Sequence, residues 1–96
     1  MNIGRSIKLC RTSLGLSQEE LAKKIDVSVS YVSLIEQNKR DPPISTIERL
    51  AAALGVPLTV LTFLGADRED LKGIPEEVRE KLASVALRLL HAKRQA

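Results

Sequence analysis

Cys10 and His91 are the only cysteine and the only histidine in 96 residues, so a thiol nucleophile and an imidazole base are each represented once. Cys10 falls on an apolar helical stripe and reads as a buried filler. His91 stands close to Lys93 and Arg94 at the end of a helix, where a lone imidazole is a solvated group rather than a base or a ligand. The acids are spread over helix faces, with no glycine-rich phosphate loop, nucleophile–base set or metal-ligand spacing. We therefore expect no catalytic residue, no metal, no cofactor and no enzyme. Charge is the chemistry that remains. Residues 1–40 hold seven Lys/Arg (Arg5, Lys8, Arg11, Lys23, Lys24, Lys39, Arg40) against four acids (Glu19, Glu20, Asp26, Glu36), whereas residues 41–96 hold eight of each. The whole net charge of +3 thus lies in the N-terminal part, as expected of a surface that meets a polyanion. An imbalance of three is small by itself and takes its meaning from the elements that display it.

Those elements are helices. Hydrophobic residues make up 44% of the chain but aromatics only 2%, so the core must be aliphatic, which suits stacked helices better than a sheet. Ile3, Ile7, Cys10 and Leu14 form one stripe of a first helix that ends near Gly15. Ser17 and Glu20 make a capping box for a second helix, whose inward face is Leu21, Ala22 and Ile25. Ser28 caps a third with Val32 and Ile35 inward and Leu34 to one side. After the loop "NKRDPP" a fourth helix carries Ile44, Ile47, Leu50, Ala51 and Leu54 on its stripe and stops at Gly55, and Pro57 opens a fifth. One domain fits this length. No apolar run approaches the roughly 18 residues of a membrane span, and no signal-peptide core is present. A cytoplasmic protein is expected, and the single cysteine excludes an intrachain disulfide.

The second and third helices are joined by little more than Asp26 and Val27. Two helices crossing steeply after so short a turn need a small residue where their backbones approach, and Ala22 stands there. The turn itself needs a residue that tolerates positive φ, which Asp26 does. This spacing describes a helix-turn-helix, in which the second member projects its outer face into the DNA major groove.

"GLSQEELAKKIDVSVSYVSLIEQNKRDPPISTIERLAAALGV" resembles the helix-turn-helix domain of the phage-repressor and Cro type, the XRE family, and the resemblance extends back through "IGRSIKLCR". Asp26 and Asn38 stand where the family usually has glycine, and Pro43 where a small cap residue is common. The resemblance implies double-stranded DNA as partner, and it implies roles. Gln18 is similar to the glutamine that bonds a phosphate beside free helix N–H groups. Lys39 and Arg40, with the Asn38 backbone, look like the loop gripping a second phosphate, with Ser28 and Tyr31 also near the DNA backbone. Arg11 and Glu36 resemble a structural ion pair. Base reading falls to Val29, Ser30, Ser33 and Leu34, none of which offers the bidentate contacts of Arg, Lys, Gln or Asn. A preference containing T-rich steps, aided by DNA deformability, is expected. For Tyr31 and Leu34, packing within the subunit or against its twin is the other reading.

The resemblance covers roughly residues 3–64. Beyond it, Val56, Leu58, Val60, Leu61, Phe63 and Leu64 are too many apolar residues for one buried stripe and require cover. A polar connector leads to a helix in which Pro75, Glu76 and Glu77 suit the first turn and Lys93 and Arg94 the last. Val78, Leu82, Val85 and Leu89 recur at heptad spacing, with Ala86 and Leu90 widening the stripe. Such a helix either folds back on its own domain or crosses to a partner subunit. We favour dimerisation through Phe63, Leu64, Val78, Leu82, Val85 and Leu89. The expected architecture is all-α, with a five-helix repressor-like helix-turn-helix domain in residues 1–64, a connector in 65–74 and a C-terminal amphipathic helix in 75–94. Two functions stay in view. One is a DNA-binding transcriptional regulator, a homodimeric repressor on a pseudopalindromic operator such as its own promoter. The other is an antitoxin-like or coactivator-like module that binds a protein partner.

Overall fold

The computed structural model describes the backbone of residues 1–95 and the side chains of residues 1–91. The expected pairing of Lys93 and Arg94 with the last helix terminus lies outside those described side chains. Six helices follow one another: α1 (Ile3–Ser13), α2 (Gln18–Lys24), α3 (Val29–Glu36), α4 (Ile44–Leu54), α5 (Leu58–Leu64) and α6 (Glu76–Gln95). There is no strand among the described residues, as the aliphatic composition led us to expect.

Local chemistry defines each boundary. Asn2 caps α1 by accepting from the Arg5 N–H, Ser28 caps α3 by accepting from the Tyr31 N–H, and Ser17 and Glu20 form the reciprocal capping box of α2. The Ser17 backbone N–H also holds the Glu20 carboxyl below the usual carboxylate range. The first four helices all stop through a left-handed residue: Gly15 (φ +73°), Asp26 (+56°), Asn38 (+59°) and Gly55 (+68°). In each case the next residue's N–H bonds back five positions, Leu16 to Arg11, Val27 to Ala22, Lys39 to Leu34 and Val56 to Ala51. These are Schellman turns. Asp and Asn fill two of them because short polar side chains tolerate this conformation better than other non-glycine residues do.

The core is aliphatic. Ile7, Leu21, Val32, Ile35, Leu50, Leu54 and Leu61 are fully buried, bringing α1 to α5 around one centre. Ile44 departs from the expected stripe and is 69% exposed. It lies in the first turn of α4, at the edge of the apolar arc, and Thr46 is buried instead. The break at Gly55–Pro57 bends the chain by 100° between α4 and α5. Among the described residues no single helix is long and apolar enough to cross a membrane. α5 lies against α1, where Ser6 donates its hydroxyl to the Leu61 carbonyl. A Cβ on Gly65 would stand 2.6 Å from the Asn2 carbonyl oxygen, so only glycine permits that approach.

Part of the excess apolar surface of α5 is covered by α6 of the same chain, which also touches α1, while Leu58 stays exposed. Ala86 and Leu90 are the buried contacts. The heptad positions Val78 (44% exposed), Leu82 (39%) and Val85 (44%) flank that contact and face outward, while Leu89, Phe63 and Leu64 are half-buried. Both apolar sets on α6 therefore have distinct surroundings, because in-chain packing uses the residues one step round the helix from the heptad seam.

Cys10 is completely buried, and burial pushes its thiol up from 9.0 to about 11. Between those two values the unfolded chain has lost the thiol proton and the folded chain retains it. Stability should therefore fall as pH rises from 9.0 to about 11. Urea unfolding across that window should show a steeper decline for the native sequence than for Cys10→Val. Equal slopes would refute an ionisation penalty at this site.

Candidate nucleic-acid interface

α2 and α3 are held at close quarters by Ala22, Val32 and Ile35, all buried. Rigid packing on one side leaves the opposite side of α3 in solvent. Ser28, Val29 and Ser30 are exposed, while Tyr31, Ser33 and Leu34 are half-buried. Tyr31 packs partly against the core of its own subunit, and the Arg40 guanidinium carbon lies 5.9 Å from its ring centroid. That cation–π contact orients the Arg40 side chain toward the first turn of α3. Lys39 and Arg40 are otherwise open to solvent, immediately after the left-handed turn at Asn38.

Glu36 organises the other end of the site. Its Oε2 accepts from Arg11 Nε at 2.7 Å, and its Oε1 accepts from Arg11 Nη2 at 3.0 Å and from Gln18 Nε2 at 3.0 Å. Arg11 Nη1 also donates to the Leu16 carbonyl at 2.8 Å. The side chains of Arg11 and Glu36 are 11% and 2% exposed. One carboxylate thus joins α1, the start of α2 and the end of α3. Gln18 is half-buried, one of its amide hydrogens is committed to Glu36, and its second hydrogen and its Oε1 stay available at the surface.

Only the backbone of Asn38 is expected at the second phosphate, and it forms a left-handed turn. Its exposed side chain is engaged within the domain: Nδ2 donates to Asn2 Oδ1 at 2.7 Å, the same oxygen that caps α1. Its contribution at the surface is limited to the backbone turn. Asn2 and Gly4, which sequence reasoning passed over, support that turn: a Cβ on Gly4 would collide with the Ile35 carbonyl and Asn38 Oδ1.

Gln37 was missed as well. It is exposed, and its Nε2 donates to Ser33 Oγ at 2.8 Å. Ser30, Ser33, Leu34 and Gln37 follow i, i+3, i+4, i+7 spacing and so share one face. The outward set expected from the sequence stops at Leu34; Gln37, the residue that caps the C-terminus of α3, extends it by one position.

The described residues contain no group of His, Cys, Asp and Glu that could hold a metal ion. The geometry is that of a shallow, solvent-facing ridge flanked by amide and cationic side chains, suited to an extended polyanion rather than to a small substrate.

Comparison with known proteins agrees. Residues 7–61 match the helix-turn-helix family model. The immunity repressor protein of Bacillus phage phi105 is 30% identical over 94 residues, covering 85% of this chain and 65% of that protein. The transcriptional regulator SinR of Bacillus subtilis strain 168 is 37% identical over 95 residues, covering 97% of this chain and 84% of SinR. Among solved structures, the SinR protein/SinI protein complex contains a similar chain, with a TM-score of 0.59, 33% identity and coverage of 90% of this chain and 96% of that one. The chain spans slightly less than two thirds of the phage repressor's length and about half, 48%, of a similar Neisseria meningitidis transcription factor.

Proposed function

The chain belongs to the helix-turn-helix family of the phage-repressor, XRE type, and from that premise we propose that it is a sequence-specific DNA-binding transcriptional regulator, a homodimeric repressor acting in the cytoplasm on a two-fold operator. The observation that carries this reading is an exposed amide and an exposed cationic loop held on one rigid unit with the outer face of α3. Gln18 is bonded to Glu36 at the C-terminal end of α3, and Lys39–Arg40 follow the Asn38 turn, with Arg40 against Tyr31 in the first turn. In this reading Gln18, Lys39 and Arg40 bond phosphates and set the register, with Ser28, Tyr31 and the Asn38 backbone close to the sugar–phosphate chain. The bases then meet Val29, Ser30, Ser33 and Leu34. No step of bond-making chemistry is involved.

The dimer is supported by the unpartnered seam of Val78, Leu82 and Val85, continued by Leu89 and flanked by Phe63 and Leu64. Two such seams side by side would bury apolar surface and give two copies of α3 the symmetry of a two-fold operator. A second reading, an antitoxin-like or coactivator-like module, is favoured by the same seam and by the similar SinR having been solved with the SinI protein. There the seam would take a different protein.

A salt series of binding to DNA from the protein's own upstream region, with the mass in solution measured in parallel, tests the proposal. Tight binding by a dimer, with log affinity falling steeply against log salt, is the expected result. The triple variant Val78→Ser, Leu82→Ser, Val85→Ser should keep its helicity, run as a monomer and lose operator affinity. Weak, sequence-indifferent binding by the native chain would instead support the interaction module.

A further inference from the structure

We infer that Gln37 is a specificity-determining residue that reads adenine in the major groove, with Ser33 as the group that positions its carboxamide. The inference deepens the DNA-binding reading above and rests on it. Its ground is a single geometric fact and what surrounds it. Gln37 is exposed, lies on the Ser30–Ser33–Leu34 face, and is hydrogen-bonded through Nε2 to Ser33 Oγ at 2.8 Å. Long side chains on a helix lean toward its N-terminus. This bond therefore brings the amide back over the preceding turn, beside Ser33 on the outward face of α3.

A glutamine amide has two N–H donors and an acceptor oxygen. Ser33 takes one donor, and no other hydrogen bond to this side chain occurs among the described residues. One N–H and Oε1 remain. Adenine presents N7 as an acceptor and its N6 amino group as a donor in the major groove, the complement of that remaining pair. The other outward residues of α3, Val29, Ser30 and Leu34, have no such pair, so discrimination by bidentate contact is concentrated at Gln37. The Ser33 bond also restricts the side chain before DNA arrives, which reduces the rotamer freedom lost on binding. The chain leaves the face directly afterwards through the Asn38 turn to Lys39 and Arg40. The amide is thus anchored between groove and phosphate-gripping loop. The expected T-rich preference is accordingly amended: at least one position of each half-site should require A on the strand that Gln37 reads.

Binding sites selected from a random-sequence duplex library by the native protein and by Gln37→Ala, Gln37→Glu and Ser33→Ala provide the test, with melting temperature and salt slope measured for each. The native protein should enrich a symmetric motif containing that adenine. Gln37→Ala should lose discrimination there by on the order of 10-fold, leaving other positions and the salt slope unchanged. Gln37→Glu should move the preference to cytosine, whose N4 amino group a carboxylate accepts from. Ser33→Ala should weaken selection at the Gln37 position. If Gln37→Ala and Gln37→Glu both enrich the native motif unchanged, Gln37 is not a base reader, even if either variant melts lower. If the native protein enriches no motif, the DNA-reading assignment fails and this inference falls with it.

Discussion

Glu36→Ala is expected to destabilise the protein by about 3–5 kcal/mol, the cost of breaking a buried ion pair by removing one partner. The carboxylate is 2% exposed and accepts three hydrogen bonds, two from Arg11 and one from Gln18. Without it the Arg11 guanidinium keeps the Leu16 carbonyl but no counter-charge, in a site where water has little access. Domains of this size have roughly 5–15 kcal/mol of total stability, so the variant should be marginal or unfolded. Glu36→Gln retains the shape and one acceptor and should lose less. The double variant Arg11→Met, Glu36→Leu separates charge from packing, because replacing both partners by apolar groups of similar volume is often close to neutral. Urea denaturation midpoints of the four proteins provide the measurement. A loss under about 1 kcal/mol in Glu36→Ala would mean that the carboxylate is an ordinary surface group, contrary to its burial.

The largest effect on binding should come from Lys39→Ala with Arg40→Ala. Both side chains are exposed, so folding stability should change by less than about 1 kcal/mol, including loss of the Tyr31–Arg40 contact. On a duplex that holds two subunits, four phosphate contacts disappear. Each contact contributes about 0.9 to the slope of log affinity against log salt, so the slope should flatten by roughly 3.6 and affinity near 0.1 M salt should drop by about three decades. The ranking of operator sequences should stay the same, since phosphate contacts carry register and not base identity. Fluorescence anisotropy on one operator and one unrelated duplex across the salt series reads both quantities. An unchanged slope would remove this loop from the DNA-facing surface.

The opposite behaviours of Lys39–Arg40 and Gln37 show why the site was only partly legible. Residues after a left-handed turn, with positive charge and no apolar neighbours, announce an exposed cationic loop whatever the rest of the fold does. Gln37 is an ordinary polar residue in composition and became distinctive only through its bond to Ser33. Asn38 shows a partner that short stretches of sequence do not specify. Its type suits the turn, and φ of +59° agrees, while its side chain bonds to Asn2, a partner 36 positions away. No local pattern specifies that pairing, because it depends on how closely α1 approaches α3 across Gly4.

Local chemistry determined where the first four helices stop, how α1, α2 and α3 are capped, and which aliphatic side chains of α1 to α3 face inward. Caps, left-handed turns and 3.6-residue periodicity involve neighbours within about five positions, so they are written in short stretches of chain. The family resemblance was carried by the same short-range spacing. Long-range packing decided the rest. It left Ile44 in solvent at the edge of its stripe, joined Gln18 to Arg11 through Glu36, and chose Ala86 and Leu90 over the heptad positions as the in-chain contact of α6. The α6 periodicity allowed two adjacent faces to be buried. Which one met α5 depended on the arrival angle of a helix entering from the connector, a property of the assembled fold and of no single segment.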